Sequence, residues 1–322
     1  MSRPAPARPI AASGDGSPLR ALAPAKVNLG LAVVGRRQDG FHDLESILLR
    51  IGLADELEVR PGAGPADALV VQGDPDCLVE GNLVLRAAAI VRARLAGPTA
   101  PPLAFRLRKR IPVAAGLGGG SSDAAAALRL LEQALGFAPE WHERWADAEA
   151  LGSDVPFFVS GAAAAHVAGR GERAEPLPAP PSLGLVLVTP HRPLATAEVF
   201  ARFDRLPPSS PEARGVVREL ADALAGGLDG AGLAALAPRL RQANDLWPAA
   251  IALRPELAGL REAVEAALGR LCLLSGSGPT LVALYPSGDE AAAVAPGLAA
   301  GLPHARIIAT DLETPEPLWR QP

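Results

Sequence analysis

Apolar and polar residues follow two different periods along this 322-residue chain. Alternation of apolar with other residues predicts β-strands, and in the first half it is seen at 26–35, 45–60 and 103–113. A helical period predicts a helix over residues 82–97, where Asn82 can cap the first turn. In the 103–113 strand, the basic residues are expected to form a wet face: Arg106, Arg108, Lys109 and Arg110.

Four glycines follow this strand directly, in the sequence PVAAGLGGGSSDAAAALR (112–129). The alanine and leucine run after them predicts a helix with Ser121 and Ser122 at its N-cap, Asp123 in its first turn and Gly136 at its end. The glycines therefore form a loop at a helix N-terminus, where free backbone N–H groups and the positive end of the helix dipole face outward.

Such a loop is suited to binding phosphate, because glycine lets the backbone approach an anion and adopt positive φ. A tight turn with a serine cap is the alternative, and four glycines within five positions favour the phosphate site. No lysine follows the glycines as in a Walker loop, and Ser121 stands where a GxGxxG motif needs its last glycine. The residues expected to line the phosphate site are Pro112, Val113, Ala114, Ala115, Gly116, Leu117, Gly118, Gly119, Gly120, Ser121 and Ser122.

The second half of the chain has a different layout. A Pro-rich segment at 173–182 is expected to be a linker, and a buried strand is expected at 183–190. Ala- and Leu-rich stretches between about 212 and 270 predict two helices, and further strands are expected around a glycine turn in 271–286 and at 306–310. This half therefore has an α+β pattern. The predicted organisation is a disordered leader (1–19), a first domain (20–172) and a second domain (183–322).

Composition narrows the range of functions. The chain is 49% hydrophobic and 20% charged, with a formal net charge of −4, so it can bury a large core and has no overall basic surface for nucleic acid. The longest apolar stretch, 155–169, is too short to span a membrane. Cys77 and Cys272 match no metal-ligand or CxxC pattern. We therefore expect a cytoplasmic protein that binds neither nucleic acid nor membrane.

The glycine loop GLGGGSSDAA (116–125) resembles the phosphate loop of the GHMP kinase superfamily. Further blocks resemble the same family in the same order: APAKVNLGLAVVGRRQDGFHDLES (23–46), LGSDVPFFVSG (151–161), ANDL (243–246) and LLSGSGPTLVALY (273–285). Together they are similar to the branch that phosphorylates a cytidine diphosphate-linked methylerythritol. The resemblance implies a two-domain α+β fold, with an N-terminal ribosomal-S5-like α/β domain, a C-terminal ferredoxin-like α+β domain and the active site in the cleft between them.

The resemblance also implies the reacting groups. Phosphoryl transfer from ATP to an alcohol needs a carboxylate that takes the hydroxyl proton, and Asp154 matches the catalytic carboxylate of that branch. Lys26 matches its catalytic cation, which would keep the carboxylate ionised and offset charge on the transferred group. Without the resemblance, each would be interpreted as a surface charge. ATP and Mg²⁺ are the expected cofactors, with ATP bound by residues 112–122; the metal ligands stay unassigned, because Asp123 fits a helix start better than a metal site.

The resemblance further implies how the acceptor is held. A cytosine ring is selected by aromatic side chains on its faces and by hydrogen bonds to its edge. Phe41, where the branch usually has Tyr, is the expected stacking residue, with His42 at the base edge and Phe200 on the other face of the ring. Thr196 and Asn28 are also expected to contact the substrate. With Phe in place of Tyr, the aromatic platform is kept and one hydroxyl is lost.

The expected partners are therefore ATP and one small-molecule acceptor, and the chain is expected to act as a monomer or homodimer. Two other functions stay open. The first is another GHMP kinase, such as a homoserine or mevalonate kinase, against which the triple glycine and the DGFH and GSDVPFF motifs speak. The second is a non-catalytic nucleotide-binding sensor on the same scaffold, against which the presence of both Lys26 and Asp154 speaks.

Overall fold

A computed structural model describes residues 17–95, 101–207 and 212–313 of the chain. The predicted leader, residues 1–19, lies outside the described residues except for its last three positions, and the first strand already begins at Leu19. Within the part of the chain that the structure describes, no helix is both long enough and apolar enough to cross a membrane.

The first half of the chain is built around a six-stranded sheet. Its strands are β1 (Leu19–Arg36), β2 (His42–Pro61), β3 (Ala68–Gln72), β4 (Leu103–Arg108), β5 (Ala164–Gly169) and β6 (Arg173–Leu177). They lie in the order β3-β4-β2-β5-β6, with β1 paired to β2. All neighbouring strands are antiparallel except β3 and β4. Residues 46–51 of β2 are buried on both faces of the sheet, which explains their nearly continuous apolar run.

Helices cover one face of this sheet. They are α1 (Leu83–Arg94), α2 (Gly119–Leu135), α3 (Trp141–Leu151) and α4 (Val155–Ser160), and they share one apolar core with the sheet. Asn82 caps α1 as predicted, because its Oδ1 accepts a hydrogen bond from the backbone N–H of Val84 at 3.0 Å. Gly136 ends α2 in the left-handed conformation, with φ at 65°, also as predicted.

The second half forms a four-stranded antiparallel sheet with helices around it. The strands are β7 (Gly184–Pro190), β8 (Cys272–Leu274), β9 (Leu281–Tyr285) and β10 (Ala305–Asp311), in the order β10-β7-β9-β8. The helices are α5 (Thr196–Phe203), α6 (Glu212–Ala225), α7 (Gly230–Ala235), α8 (Ala237–Leu240), α9 (Trp247–Leu253), α10 (Glu256–Leu268) and α11 (Gly288–Gly301). Val217 of α6 and Val282 of β9 share a core with the second face of the first sheet. The predicted α+β class is confirmed.

Two local predictions about the first sheet are wrong. Residues 173–177 form the edge strand β6, paired with β5, so the first half of the predicted linker belongs to the sheet. Its Pro-rich, polar composition is compatible with an edge strand, which pairs on one side only. Lys109 is buried, whereas Arg106 and Arg108 are exposed as predicted. The division into domains at 20–172 and 183–322 stays a prediction.

Candidate active site

A cleft of about 1000 Å³ lies between the first sheet and the helices and turns of the second half. The glycine loop before α2 forms one wall, and β1, β2, α5 and the turn at 276–277 contribute to the others. The predicted site residues that line it are Lys26, Asn28, Phe41, His42, residues 112–121, Asp154, Thr196 and Phe200. The fold therefore brings together residues that are far apart in the sequence, and only Ser122 of the predicted set lies behind the cleft wall, fully buried.

The glycine loop leads directly into α2. Gly116 and Gly118 have φ values of 76° and 70°, in the left-handed region that favours glycine. The helix begins at Gly119 with Gly118 as its N-cap, so Ser121 and Ser122 lie inside the first turn and the predicted serine cap is wrong. An α-helix leaves the N–H groups of its first turn without intrahelical acceptors. A phosphate group in the cleft would therefore meet free donors and the positive end of the α2 dipole.

The loop is held tightly against its neighbours. A Cβ atom on Gly118 would lie 2.9 Å from Cγ of Lys26, so only glycine allows this approach. The backbone N–H of Lys26 donates to the carbonyl oxygen of Leu117 at 3.0 Å, and the hydroxyl of Ser275 donates to the carbonyl oxygen of Gly116 at 2.9 Å. The loop is thus fixed by β1 on one side and by a turn of the second half on the other.

Lys26 and Asp154 form an ion pair in the cleft, with Nζ 3.4 Å from Oδ2. Lys26 is only 5% exposed, and its Nζ also donates to Oδ1 of Asn28 at 2.7 Å and to the carbonyl oxygen of Gly116 at 3.2 Å. Asp154 immediately precedes α4, makes no capping hydrogen bond, and keeps 33% of its side chain exposed. The ammonium group is therefore fixed, while the carboxylate stays accessible to a substrate.

Asn28 connects the lysine to the neighbouring chain segments. Its Nδ2 donates to Oγ of Ser46 at 2.8 Å, and its backbone N–H donates to Oγ of Ser275 at 3.2 Å. Its Oδ1 accepts the hydrogen bond from Lys26. In this structure Asn28 thus orients the lysine, and its direct contact with substrate stays a prediction. Ser46 and Ser275 were not singled out from the sequence, because an isolated serine carries no distinctive pattern.

The ANDL segment ties β1 to the glycine turn of the second half. Nδ2 of Asn244 donates to the carbonyl oxygens of Leu274 and Gly276 at 3.0 and 2.9 Å. Oδ2 of Asp245 accepts a hydrogen bond from the backbone N–H of Val33 at 2.8 Å. This segment supports the walls of the cleft, and its last residue, Leu246, is part of the lining.

Aromatic side chains gather at one end of the cleft. Phe41 is 51% exposed. The ring of His42 is stacked on that of Phe200, with centroids 5.0 Å apart and planes 22° apart, and its Nε2 lies 2.7 Å from Oδ1 of Asp204. Phe200 was expected to face the ligand, and in this structure its ring lies against His42. Thr196 forms a hydroxyl–hydroxyl hydrogen bond with Ser277 at 3.0 Å.

Two arginines that the sequence analysis did not single out line the same end of the cleft. The guanidinium carbon of Arg170 lies 4.8 Å from the centroid of the Phe41 ring. Nη1 of Arg36 lies 3.5 Å from Oδ2 of Asp204. They place positively charged groups at this end of the cleft, where an anionic group would be attracted.

A buried lysine lies between two aspartates beneath the glycine loop. Nζ of Lys109 is 2.5 Å from Oδ2 of Asp55 and 2.8 Å from Oδ2 of Asp123. Asp55 also accepts a backbone hydrogen bond from Ile111 at 2.9 Å, whereas Oδ1 of Asp123 is buried without a partner. Burial raises the pKa of Asp123 to about 7, with Lys109 opposing the shift and Asp55 adding to it. Asp123 lies beyond the first turn of α2, so its predicted role at the helix start is wrong.

Asp123→Asn tests this shift through the pH dependence of stability. A carboxyl group with a pKa of 3.8 when unfolded and about 7 when folded binds more protons in the folded state between these values. Its contribution to stability is therefore full at low pH and is lost as the pH rises through that window. We expect the free energy of unfolding of the unchanged protein to fall, relative to the variant, by up to about 1.4 kcal/mol per pH unit. Urea unfolding from roughly pH 4.5 to 8 measures this, and parallel pH profiles for the two proteins would contradict it.

The oxygen donors of the cleft fit a magnesium ion that is carried by a nucleotide. In the described ranges, no group of three or more His, Cys, Asp and Glu side chains could hold a metal ion. Ser121 and Asp154 offer oxygen atoms beside the glycine loop, and Asp123 is already paired with Lys109. Mg²⁺ usually keeps several waters and binds substrate phosphates with few protein ligands, so this sparse donor set is sufficient.

Comparison with known proteins identifies the same fold and chemistry. The chain matches the family described as GHMP kinases N terminal domain over residues 82–162, and GHMP kinases C terminal over residues 229–304. A 4-diphosphocytidyl-2-C-methyl-D-erythritol kinase of Pelotomaculum thermopropionicum is 42% identical over 280 residues, covering 86% of this chain and 92% of that protein. A protein of the same name from Rhodopseudomonas palustris is 42% identical over 308 residues, covering 90% and 96%.

Solved structures of related kinases have a similar fold. A crystal structure of a 4-(cytidine 5'-diphospho)-2C-methyl-D-erythritol kinase superposes with a TM-score of 0.69 at 35% identity, covering 91% of this chain and 98% of that one. A homoserine kinase from Cytophaga hutchinsonii has a TM-score of 0.68 at 21% identity, over 93% and 95% of the two chains, and shares the fold. The predicted GHMP kinase fold is therefore confirmed, and the chain belongs to the 4-diphosphocytidyl-2-C-methyl-D-erythritol kinase family.

Proposed function

We propose that the chain transfers the γ-phosphoryl group of ATP to the 2-hydroxyl of 4-diphosphocytidyl-2-C-methyl-D-erythritol, giving the 2-phosphate and ADP. The observation that carries this proposal is the Lys26–Asp154 ion pair, 3.4 Å long, beside a glycine loop at a helix N-terminus. Membership of the family supports the choice of acceptor.

Each group of the cleft has a role in this reaction. Asp154 accepts the proton of the acceptor hydroxyl as that oxygen attacks the γ-phosphorus. Lys26, fixed by Asn28 and by the carbonyl oxygen of Gly116, offsets negative charge on the transferred group. The N–H groups of the first turn of α2 hold the phosphates of ATP. When bound, Mg²⁺ neutralises charge on the phosphate oxygens. Positioning and electrostatics supply most of the rate enhancement in such reactions.

The acceptor is held at the aromatic end of the cleft. Phe41 offers an exposed ring face for the cytosine, and Arg170 lies over the same ring. Asp204 and Phe200 hold the ring of His42 in place. His42 contacts the edge of the base. These roles, together with those of Thr196 and Asn28, are part of the proposal.

The function is tested with purified protein, Mg-ATP and one acceptor at a time. We expect ADP release and a phosphorylated product with the diphosphocytidyl acceptor, and neither with homoserine or mevalonate. Turnover of homoserine or mevalonate would instead indicate another GHMP kinase. Nucleotide binding without turnover of any acceptor would overturn the kinase in favour of a sensor.

Phe41→Ala tests the stacking role. Stacking of a base on an aromatic side chain contributes about 1–3 kcal/mol, so we expect KM for the diphosphocytidyl acceptor to rise roughly 5- to 150-fold while KM for ATP stays unchanged. Phe41→Tyr keeps the ring and is expected to restore KM. Leu22→Ala is the matched control, because Leu22 is also apolar and exposed, at 58%, but lies outside the cleft. Equal KM values for Phe41→Ala and Leu22→Ala would contradict the role.

A further inference from the structure

A second cavity, of about 450 Å³, lies apart from the active-site cleft, and the two share none of the described residues in their linings. The end of β7, the start of α10 and the connection from α11 to β10 form its walls, and it is open to solvent on one side. Its walls are largely apolar, with contributions from Pro190, Leu257, Leu260, Pro279, Leu302 and Pro303. A cavity of this size and lining is suited to the apolar part of a small ligand.

Arg254 gives this cavity a positive charge. Its guanidinium group donates to the carbonyl oxygens of Leu253 and Pro193 at 3.2 and 3.3 Å, and its Nε is buried without a hydrogen-bond partner. Among the described residues no carboxylate forms an ion pair with it. A cation beside apolar walls, satisfied only by carbonyl oxygens, is available to an anionic group of a ligand.

The other charged residues of the lining, Arg192 and Glu256, leave its net charge positive. Glu256 is the acidic residue of the lining, and its carboxylate lies 3.7 Å from Nη1 of Arg192, which offsets it. His191 and His304 add ring nitrogens at the exposed rim. Among the lining residues that the structure describes, cations therefore outnumber carboxylates around an apolar space.

We propose that this cavity is a second ligand site, for a small amphiphile with an apolar body and a single anionic head. The apolar body lies against Leu257, Leu260 and Leu302, and the head lies beside Arg254. A carboxylate and a phosphate monoester can each serve as the anionic head, and the test examines them separately.

The position of the cavity couples it to the nucleotide site. Pro279 lines the cavity, and the next residue, Thr280, donates its backbone N–H to the carbonyl oxygen of Ala115 at 3.4 Å. Leu194, close to the cavity wall in sequence, donates its N–H to the carbonyl oxygen of Ala114 at 3.3 Å. A ligand in the cavity thus touches segments that hold the phosphate loop. We expect it to change nucleotide affinity by at least about fivefold, and the nucleotide to change its affinity by the same factor.

The site is tested by calorimetric titration of the full-length chain with octyl phosphate and with octanoate, each with and without a saturating non-hydrolysable ATP analogue. We expect saturable one-to-one binding of at least one amphiphile, at least tenfold tighter than inorganic phosphate or octanol, and still present when the analogue is bound. Absence of saturable binding, or complete displacement by the analogue, would overturn the site. An unchanged affinity for the analogue in the presence of the amphiphile would overturn the coupling.

Two variants locate the binding. Gly301 lines the cavity, and a Cβ atom there would meet no atom within 4 Å, so Gly301→Leu adds bulk at the cavity wall without a clash. Gly297→Leu is the matched control, because Gly297 lies on the same helix, is equally open and is not part of the lining. We expect Gly301→Leu and Arg254→Gln each to weaken amphiphile binding at least tenfold, and Gly297→Leu to leave it unchanged. Equal affinity in Gly301→Leu and Gly297→Leu would overturn the proposal. Because binding is measured without turnover, its failure is distinct from a failure of the kinase activity.

Discussion

Replacing Asp154 by asparagine is expected to lower kcat by about 10²- to 10⁴-fold, the usual contribution of a positioned general base. The amide keeps the shape of the side chain but cannot take the proton of the acceptor hydroxyl. The carboxylate makes no capping hydrogen bond and is 33% exposed, so its replacement leaves α4 intact. Steady-state ADP release with the diphosphocytidyl acceptor measures the effect. We expect KM for ATP to change little, because the phosphate loop is held by other groups.

Asp76→Asn provides the matched control for loss of one negative charge. Asp76 lines the same cleft, is exposed and forms no ion pair with Lys26. We expect this variant to keep kcat within about twofold of the unchanged protein, since exposed charges interact weakly across water. A kcat for Asp154→Asn above a tenth of the control value would exclude Asp154 as the base. A loss confined to KM would make it a binding residue.

The phosphate loop could be predicted from local sequence because its chemistry is in the backbone. Glycines before a helix-forming run are sufficient to place free N–H groups at a helix N-terminus, and the structure places them there. The predicted N-cap residue was wrong. Gly118 adopts the left-handed conformation and caps the helix, which therefore begins before Ser121. Side-chain preference predicts a serine cap, but the close packing of Gly118 against Lys26 decides where the helix begins.

Contacts between residues that are far apart in the chain could not be predicted from local sequence patterns. The stack of His42 on Phe200 joins β2 to α5, and no local period encodes it.

The burial of Lys109, in contrast, could have been predicted from the alternation of apolar and polar residues. This lysine follows Phe105 and Leu107 in the inward phase of the alternation, and its burial obeys that phase. The prediction was wrong because Lys109 was assigned to the wet face by its charge, together with its arginine neighbours, although the alternation places it on the buried face.

Lys109→Met is expected to lower the free energy of unfolding by about 3–5 kcal/mol, because it leaves two buried carboxylates without their shared cation. Asp55 and Asp123 are both almost fully buried, so when the lysine is lost each must stay unpaired or take up a proton, and both cost stability. A Cβ atom on Gly119 would lie 3.2 Å from Nζ of Lys109, which puts the lysine directly under the start of α2. We therefore also expect KM for ATP to rise. Urea unfolding and steady-state kinetics measure the two effects.

Arg108→Met is the matched control, since Arg108 is the preceding residue and its side chain is 59% exposed; we expect a change within about 0.5 kcal/mol. The double variant Lys109→Met/Asp123→Asn separates lost charge pairing from lost packing. Asp55 keeps its backbone hydrogen bond from Ile111 in that variant, whereas the carboxylate at 123, which has no other donor, is removed. We expect the double variant to recover more than half of the stability lost in Lys109→Met. If it recovers none, the lysine stabilises the loop by packing, because repulsion between unpaired carboxylates would have been relieved.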